Sequence, residues 1–223
     1  MALKGIVPRT WRRLKRIFLV LFIAQFVYII LLRWVNPPIT LTMISSWFSL
    51  WGTDKHFKKK WASSEDISAF AKLAVIASED QLFPDHDGFD FKSIEKALKH
   101  NQKSKKIRGA STISQQVAKN VFLWQGRGWF RKGLEVYFTF MIEKIWGKHR
   151  ILEVYLNVAQ TGDGIFGIEA ASREYYYKPS ANLSREQAAI IAACLPNPVK
   201  YAVNPPARIT AWRQRRILQQ MRN

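Results

Sequence analysis

The sequence predicts a mainly α-helical protein with one membrane-spanning helix near its N-terminus. Residues 17–32 are apolar apart from Gln25, which is the pattern of a membrane anchor. From Trp61 onward, apolar residues recur with helical spacing, and several of these runs follow a side chain suited to cap a helix. No stretch shows the sustained period-two alternation of a half-buried strand, so the fold class is all-α.

The N-terminal segment divides into a basic tail, residues 1–16, and an anchor, residues 17–35. The apolar run of residues 17–32 covers about 24 Å as a helix, slightly less than a hydrocarbon core of about 30 Å. Arg33 can extend its charge to the interface while Trp34 and Val35 lengthen the segment. No small-residue cleavage site follows, so we expect a retained single-pass anchor. The basic residues before it predict a cytoplasmic N-terminus and place everything after Pro38 outside; they are Lys4, Arg9, Arg12, Arg13, Lys15 and Arg16.

Residues 36–60 are predicted to connect the anchor to a folded domain. Residues 39–51 are apolar but too short to span a bilayer. They are typical of core or connector, and an interfacial membrane contact is the alternative. The lysines that follow, Lys55, Lys58, Lys59 and Lys60, suit either a solvated hinge or anionic headgroups.

Residues 61–223 are predicted to form one helical domain. Candidate helix starts are the capping boxes Ser63 with Asp66, Thr112 with Gln115 and Ser184 with Gln187, and the single cap Asp90. The first of these would begin a helix that carries the apolar run 67–77. Further helices are expected at residues 129–146 and 151–158, before Pro196, and after Pro205 and Pro206.

Polar side chains collect around residues 78–120. Glu79 lies where the apolar run 67–77 gives way to a loop, and the negative end of a helix dipole makes such a carboxylate a better base. Helical spacing puts a polar set on one helix face, consisting of Thr112, Gln115, Gln116 and Lys119. Ile113, Val117 and Val121 take the opposite, buried face.

Composition limits the partners and the chemistry. The formal net charge of +19 predicts anionic partners, which could be phosphates, nucleic acid or anionic lipid. One cysteine, Cys194, excludes an internal disulfide framework, and its apolar neighbours indicate core. No Cys/His cluster has metal-ligand spacing. Gly162-x-Gly164-x-x-Gly167 imitates a dinucleotide fingerprint, but no predicted strand precedes it.

Four motifs in order resemble a known family. They are Glu79-Asp80 with Phe83, His86 and Gly88; residues 109–120; Arg131-Lys132-x-x-Glu135; and the motif of residues 148–157, which runs from Lys148 to Asn157. They are similar to the glycosyltransferase module of bacterial peptidoglycan polymerases, found in class A penicillin-binding proteins and in monofunctional membrane transglycosylases. The resemblance implies a lysozyme-like helical domain. It also implies an enzyme that joins lipid II to a growing lipid-linked glycan strand, with inversion, by a β-1,4 bond, releasing undecaprenyl pyrophosphate.

The resemblance implies two catalytic carboxylates. Glu79 would be the general base that deprotonates the 4-hydroxyl of lipid II. Glu135 would be a second essential carboxylate near the donor pyrophosphate and a candidate ligand of Mg²⁺ or another divalent ion; no organic cofactor is implied. From the residues alone, Arg131 and Glu135 could equally form an ordinary intrahelical ion pair.

The resemblance also implies a set of substrate- and pyrophosphate-binding residues. Lys119, Arg131 and Lys132 would hold phosphate, as their charge suggests. The others in the set are Thr112, Gln115, Gln116, Asn120, Asp80, Phe83, His86 and Lys148. His86 could instead be a structural histidine, and Gln116 could contact sugar or only hold the loop.

The expected partners are lipid II, the glycan strand, membrane lipids and other cell-wall synthesis or division proteins, with no nucleic acid. The expected location is the inner membrane, with the catalytic domain on the periplasmic side. Two alternative functions remain, a lysozyme-like hydrolase of the same polymer and an anchored basic scaffold. A transpeptidase is not expected, because Ser93-x-x-Lys96 and Ser180-x-Asn182 lack any Lys-[Ser/Thr]-Gly partner.

Overall fold

A computed structural model describes residues 6–104, 109–126 and 128–222, with the backbone alone for residues 6–9. The described residues form ten α-helices and three very short strands. The chain divides after Asn36 into two compact units, Met1–Asn36 and Pro37–Asn223.

The first unit consists of one long helix, α1 (Ile6–Leu31). At 1.5 Å per residue its 26 residues extend about 39 Å. Its segment Thr10–Leu31 is long and apolar enough to cross a membrane. The described part of the predicted tail, residues 6–16, continues the same helix as the anchor, because no helix-breaking residue separates the basic from the apolar part. Residues 1–5, with Lys4, lie outside the described part.

The second unit contains the remaining elements. In chain order they are α2 (Leu41–Ser49), β1 (Lys58–Lys59), α3 (Ala69–Glu79), α4 (Phe91–Lys103), α5 (Ile113–Phe122), α6 (Trp129–Ile145), α7 (Gly147–Val158), β2 (Gln160–Gly162), β3 (Ile165–Phe166), α8 (Ile168–Tyr176), a short 3-10 helix (Ser180–Asn182), α9 (Arg185–Cys194) and α10 (Arg208–Gln220).

Two helix groups build the core of this unit. Helix α5 packs against α6 and α7, and α9 packs against α3 and α10. The inner face of α5, with Ile113 and Val117, is fully buried, as the sequence predicted. In α9 every residue from Ala188 to Cys194 is buried, because apolar side chains occupy the whole circumference of that part of the helix. The mainly helical fold class is confirmed.

Side-chain caps form at three of the four helix starts for which the sequence predicts one. Both capping boxes at Thr112–Gln115 and Ser184–Gln187 form, and Asp90 caps α4 through the backbone N–H of Ser93. The predicted helix start at Ser63 is wrong. The Ser63 hydroxyl does donate to Asp66 at 2.8 Å, but the pair stabilises a turn, and α3 begins only at Ala69 behind the cap Ser68.

A small sheet and two helices, α2 and α8, were missed. The strand order is β1–β3–β2, with β1 parallel and β2 antiparallel to β3. Strands of two or three residues are too short to show alternation. β1 lies within residues 36–60, the predicted connector. The glycines of the false dinucleotide pattern serve packing, since a Cβ at Gly167 would lie 2.8 Å from the Asn157 carbonyl oxygen. Helix α8, which follows Gly167, was also not predicted.

Residues 39–51, predicted as core or connector with an interfacial contact as the alternative, bury Met43 and Leu50 but have exposed aromatic side chains. In α2 and just after it, Trp47, Phe48 and Trp51 are half or more exposed and pack on one another. Their exposure does not fit a core role within this unit.

Candidate active site

Glu79 is held in place from two sides. It is the last residue of α3 and is half-buried. Its Oε1 accepts a hydrogen bond from the Ser78 hydroxyl at 3.1 Å, and its Oε2 accepts one from Gln116 Nε2 at 3.0 Å. The Tyr155 hydroxyl donates to Gln116 Oε1 at 3.2 Å. Both ends of the Gln116 amide are therefore engaged, and Gln116 positions the carboxylate.

Tyr155 completes this chain of hydrogen bonds from inside the core. Burial, together with the charge of Glu79, raises the pKa of Tyr155 well above its usual value. The hydroxyl therefore keeps its proton and acts as a donor to Gln116. That donor orients the amide so that its NH₂ group faces Glu79. The sequence marked Tyr155 only as core; the signal that could have found it is that a buried tyrosine hydroxyl requires a hydrogen-bond partner.

We expect Tyr155→Phe to slow turnover by about three- to tenfold, because one hydrogen bond worth about 0.5–1.5 kcal/mol no longer orients Gln116. Packing should be kept, since only the hydroxyl is removed. The measurement is the steady-state rate of polymer formation beside a thermal unfolding curve. Tyr177→Phe is the matched control, because Tyr177 is 90% exposed. Equal rates for the two variants would contradict this role.

Asp80 and His86 anchor the loop that follows Glu79. Buried Asp80 accepts hydrogen bonds from His86 Nε2 at 3.0 Å and from the backbone N–H of Ile113 at 2.9 Å. Ile113 is the first residue of α5, where the helix dipole favours a negative charge. The N–H of Gly88 donates to His86 Nδ1 at 3.1 Å, which leaves the ring proton on Nε2. His86 therefore has the structural role that the sequence left open.

Phe83 and Lys148 pack together behind this loop. Phe83 is buried, and the Lys148 ammonium lies 4.6 Å from the centre of its ring. Lys148 also donates to Glu143 Oε1 at 2.8 Å, and Ser114 donates to the same oxygen. Because its charge is paired with Glu143, we interpret Lys148 as a support of the loop instead of a phosphate contact.

Thr112 and Gln115 hold the start of α5. The Thr112 hydroxyl accepts from the Gln115 N–H at 3.2 Å and donates to the Gly88 carbonyl at 2.7 Å. Gln115 Oε1 accepts from the Thr112 N–H at 3.0 Å. Both residues are almost fully buried. Their side chains belong to the cap, so we interpret them as positioning residues and not as direct substrate contacts.

Glu135 lies on α6 with a cation at each oxygen. Arg131 Nη1 donates to Oε2 at 2.9 Å, and Lys132 donates to Oε1. Glu135 is 3% exposed, so this is a largely desolvated ion group and not a surface pair. The Nε of Arg131 is buried and has no hydrogen-bond partner among the described residues. A buried donor without a partner is suited to an anionic ligand.

Lys119 connects the two carboxylates. Desolvation lowers its pKa most strongly; the charge of Glu135 and, less strongly, that of Glu79 oppose this, while Arg131 and Lys132 add to it. Lys119 thus lies in the electric field of both acids. Within the described residues no ion-pair partner approaches its ammonium to 4.0 Å. Its half-buried neighbour Asn120 makes no side-chain hydrogen bond in that same part of the chain.

The carboxylate Glu79 borders a large cleft. The cleft has a volume of about 630 Å³, and its walls include the end of α3, the start of α4 and residues 109–112. A second cavity of about 240 Å³ lies between α4 and the start of α5, and Lys132 lines it. Ala110 and Ser111 border both cavities. The two cavities can therefore receive an extended ligand, with Glu79 bordering one of them and Lys132 bordering the other.

A divalent ion does not fit the residues around Glu135. Both of its oxygens already accept hydrogen bonds from cations, so a metal would have to displace Arg131 or Lys132. In the described ranges, no group of three or more His, Cys, Asp or Glu side chains could hold a metal ion.

Comparison with known proteins matches this chain to one family. The sequence profile of the family described as transglycosylase matches residues 48–222. A biosynthetic peptidoglycan transglycosylase of Mannheimia succiniciproducens is 58% identical over 161 residues, which are 72% of this chain and 66% of the relative. Proteins of the same name from Haemophilus influenzae and Salmonella typhimurium are each 48% identical, over 97% and 100% of this chain and 90% and 94% of their own.

Proposed function

This chain belongs to the transglycosylase family, and we propose that it polymerises lipid II into glycan strands by an inverting transfer that releases undecaprenyl pyrophosphate. That it is a glycosyltransferase of peptidoglycan synthesis follows from the family. The finer statement is supported by one observation. Gln116 and Lys119 lie one turn apart on α5, where Gln116 donates to Glu79 and Lys119 is a desolvated cation without an ion-pair partner in the described chain. A carboxylate for the acceptor hydroxyl and cations for a pyrophosphate are thereby brought to one site.

Glu79 acts on the acceptor. Its carboxylate takes the proton of the 4-hydroxyl as that oxygen attacks the anomeric carbon of the donor strand. A C–O bond forms, the bond from the anomeric carbon to the pyrophosphate oxygen breaks, and the pyrophosphate leaves with the electron pair. Attack from the face opposite the leaving group inverts the configuration and gives a β-1,4 bond. Ser78 and Gln116 hold the carboxylate for this transfer.

The cationic group acts on the leaving pyrophosphate. Negative charge grows on the pyrophosphate as its bond to the sugar breaks, so donors fixed in advance stabilise the transition state. Lys119, Arg131 and Lys132 supply this charge, and Glu135 fixes two of them through its oxygens. The buried Nε of Arg131 provides a further donor. A divalent ion stays a prediction of the resemblance, which adding a chelator to the assay described below would test.

Lys119 predicts a specific pH dependence. Because burial lowers its pKa below the ordinary 10.5, the ammonium is lost at a lower pH than that of an exposed lysine. Phosphate binding should be complete below that pKa and weaken as pH rises through it. We expect kcat/KM to fall on the alkaline side, and Lys119→Arg to move this fall to higher pH, since a guanidinium stays charged. An unchanged alkaline limb would contradict the assignment.

The deciding experiment incubates the detergent-solubilised full chain with labelled lipid II. We expect a glycan polymer and one released undecaprenyl pyrophosphate for each bond formed. The polymer should be uncross-linked and its yield insensitive to penicillin, because Ser93 and Lys96 of α4 have no Lys-[Ser/Thr]-Gly partner in this sequence. Shortening of a preformed glycan without new polymer would favour a hydrolase and contradict the proposal.

We also propose that α1 anchors the enzyme in the inner membrane with the catalytic unit on the periplasmic side. The six basic residues before the apolar run support this orientation, and none of the first 53 residues is acidic. We therefore expect activity from a reporter that works only outside the cytoplasm when it is fused after Asn223. The control carries the same fusion with the basic residues replaced by glutamine. Activity of a cytoplasm-specific reporter on the natural sequence would reverse the orientation.

The proposed substrates are lipid-linked, so the catalytic unit must act close to the membrane. Lipid II and the lipid-linked strand carry their chains in the membrane, and the exposed Trp47, Phe48 and Trp51 are amphipathic or apolar side chains of the kind found at interfaces. Membrane lipids are therefore proposed partners. Other cell-wall synthesis or division proteins remain expected from the resemblance alone.

A further inference from the structure

A small basic pocket adjoins the cleft next to Ser78, the residue before Glu79. Its volume is about 120 Å³, and it lies between the end of α3 and helix α10. Its walls are Ser78, Trp212, Arg213, Arg216, Ile217 and Gln220. None of these residues holds the carboxylates or cations of the reaction except Ser78, which donates to Glu79. The pocket is therefore next to the acceptor side of the site but outside the catalytic group.

The pocket and the cleft adjoin each other. Ser78 and Gln220 border both of them. A ligand whose hydroxyl reaches Glu79 can thus extend along the cleft to Gln220 and continue into the pocket. At 120 Å³ the pocket is smaller than the roughly 300–1,000 Å³ of a site for a whole small ligand, so it suits a terminal group.

The chemistry of the pocket favours an anionic group. Arg213 and Arg216 both face it, and no acidic side chain lines it. Arg213 uses its Nε to hold the Ala193 carbonyl at 3.0 Å, which fixes its guanidinium against α9. Arg216 lies over the ring of Trp212, 5.0 Å from its centre, and forms no ion pair or hydrogen bond within the described residues. A guanidinium that is oriented by stacking and free to donate matches the planar oxygens of a carboxylate.

We propose that this pocket binds a carboxylate of the peptide carried by the acceptor lipid II. The proposal rests on the proposed function, because the acceptor is defined by that reaction. The proposed function assigns the donor pyrophosphate to Lys119, Arg131 and Lys132, which lie on α5 and α6 and do not line the pocket. Binding of the acceptor's own pyrophosphate in the pocket would instead give equal KM values for acceptors with free and with amidated peptide carboxylates. Helix α10 thereby makes the enzyme selective for acceptors that bear a charged peptide, while the catalytic groups bind the sugar and the pyrophosphate.

The test compares two acceptors with the full chain in neutral detergent. One is lipid II with its peptide carboxylates free, and the other is lipid II with every peptide carboxylate amidated. The initial rate of addition to preformed labelled strands is measured. For the natural enzyme we expect KM to be about tenfold higher with the amidated acceptor, the order expected for a charge-assisted hydrogen bond, with kcat nearly unchanged.

Arg216→Ala should raise KM for the free acceptor by about the same tenfold and remove the difference between the two acceptors. Arg215→Ala is the matched control, because Arg215 is an exposed neighbour on α10 that does not line the pocket. Arg216→Lys, which keeps charge but loses the planar fork, should fall between them. Thermal unfolding curves check that the variants fold.

The outcomes separate this inference from the proposed function. If the natural enzyme makes no polymer from either acceptor, the proposed function fails. If the natural enzyme makes polymer from both acceptors with equal KM, only the pocket assignment is overturned. The same holds if the Arg216→Ala enzyme distinguishes the two acceptors as well as the Arg215→Ala enzyme does. An effect of Arg216→Ala that appears only after adding vesicles of anionic lipid would assign the pocket to a headgroup and would likewise overturn it.

Discussion

Glu79→Gln should reduce polymer formation by about 10²- to 10⁴-fold, the range that general-base assistance contributes. The amide keeps the shape of the side chain but cannot accept the proton of the acceptor hydroxyl. It also presents an NH₂ group to Gln116, whose own NH₂ group now donates to Glu79 Oε2. The variant should fold, because Glu79 is half-buried at a helix end and no ion pair forms on it within the described residues. The measurement is initial polymer yield from labelled lipid II.

Glu95→Gln is a suitable control for that experiment. Glu95 lies on α4, its side chain is 65% exposed, and among the described residues its ion pair is with Lys99 at the surface. The substitution removes the same charge and should leave both activity and thermal unfolding unchanged. If folded Glu79→Gln enzyme makes polymer at the rate of this control, Glu79 is not the base. That result would favour the anchored scaffold, for which Glu79 is dispensable.

The geometry also bears on the hydrolase alternative. A glycosidase requires two carboxyl groups, one of which protonates the leaving sugar oxygen. The second carboxyl here, Glu135, accepts hydrogen bonds from Arg131 and Lys132 at its two oxygens. Because a charged donor occupies each oxygen, neither oxygen of Glu135 is open to a leaving sugar oxygen among the described residues. A leaving pyrophosphate needs no such acid, so the arrangement favours transfer from a lipid pyrophosphate over hydrolysis of a sugar bond.

Local sequence signals predicted the helices well, since the cause of each lies within a few residues. The boxes at Thr112 and Ser184 form because both partners lie three residues apart on one helix turn. The same spacing at Ser63 gives only a turn. There, Ser180 accepts the N–H of Ser68 across the domain, and the helix begins at Ala69 instead. A tertiary contact of Ser68 therefore decided that this residue, and not Ser63, caps the helix.

The functions of single polar side chains were harder to predict because their partners are distant in sequence. Gln116 lies 39 residues from Tyr155, and Lys148 lies 62 residues from His86. Helical spacing correctly put Gln116 and Lys119 on one face, but it could not tell which other helix that face meets. Motif resemblance made Glu79 and Glu135 the candidate catalytic carboxylates, whereas Ser78, Tyr155 and Glu143 carry no local signal of their contacts.

Glu135→Gln should lower polymer formation by about a hundredfold or more. The carboxylate does not touch the acceptor; its two oxygens fix Arg131 and Lys132 where the pyrophosphate is expected. An amide accepts at one atom only, so one cation loses its partner and its orientation. Preorganised charges of this kind typically contribute about 10²- to 10³-fold each. We expect KM for the donor strand to rise together with the fall in kcat.

A loss of folding could imitate this result, because removing one partner of a buried ion pair costs up to about 3–5 kcal/mol. Glu153→Gln controls for that effect. Glu153 pairs with Arg150 at 3.0 Å on α7, and both side chains are similarly buried. The two variants should lose comparable thermal stability, whereas only Glu135→Gln should lose polymerisation and retention of the donor. If the activity of folded Glu135→Gln enzyme equals that of Glu153→Gln, Glu135 forms an ordinary intrahelical pair, and the pyrophosphate must be bound without its help.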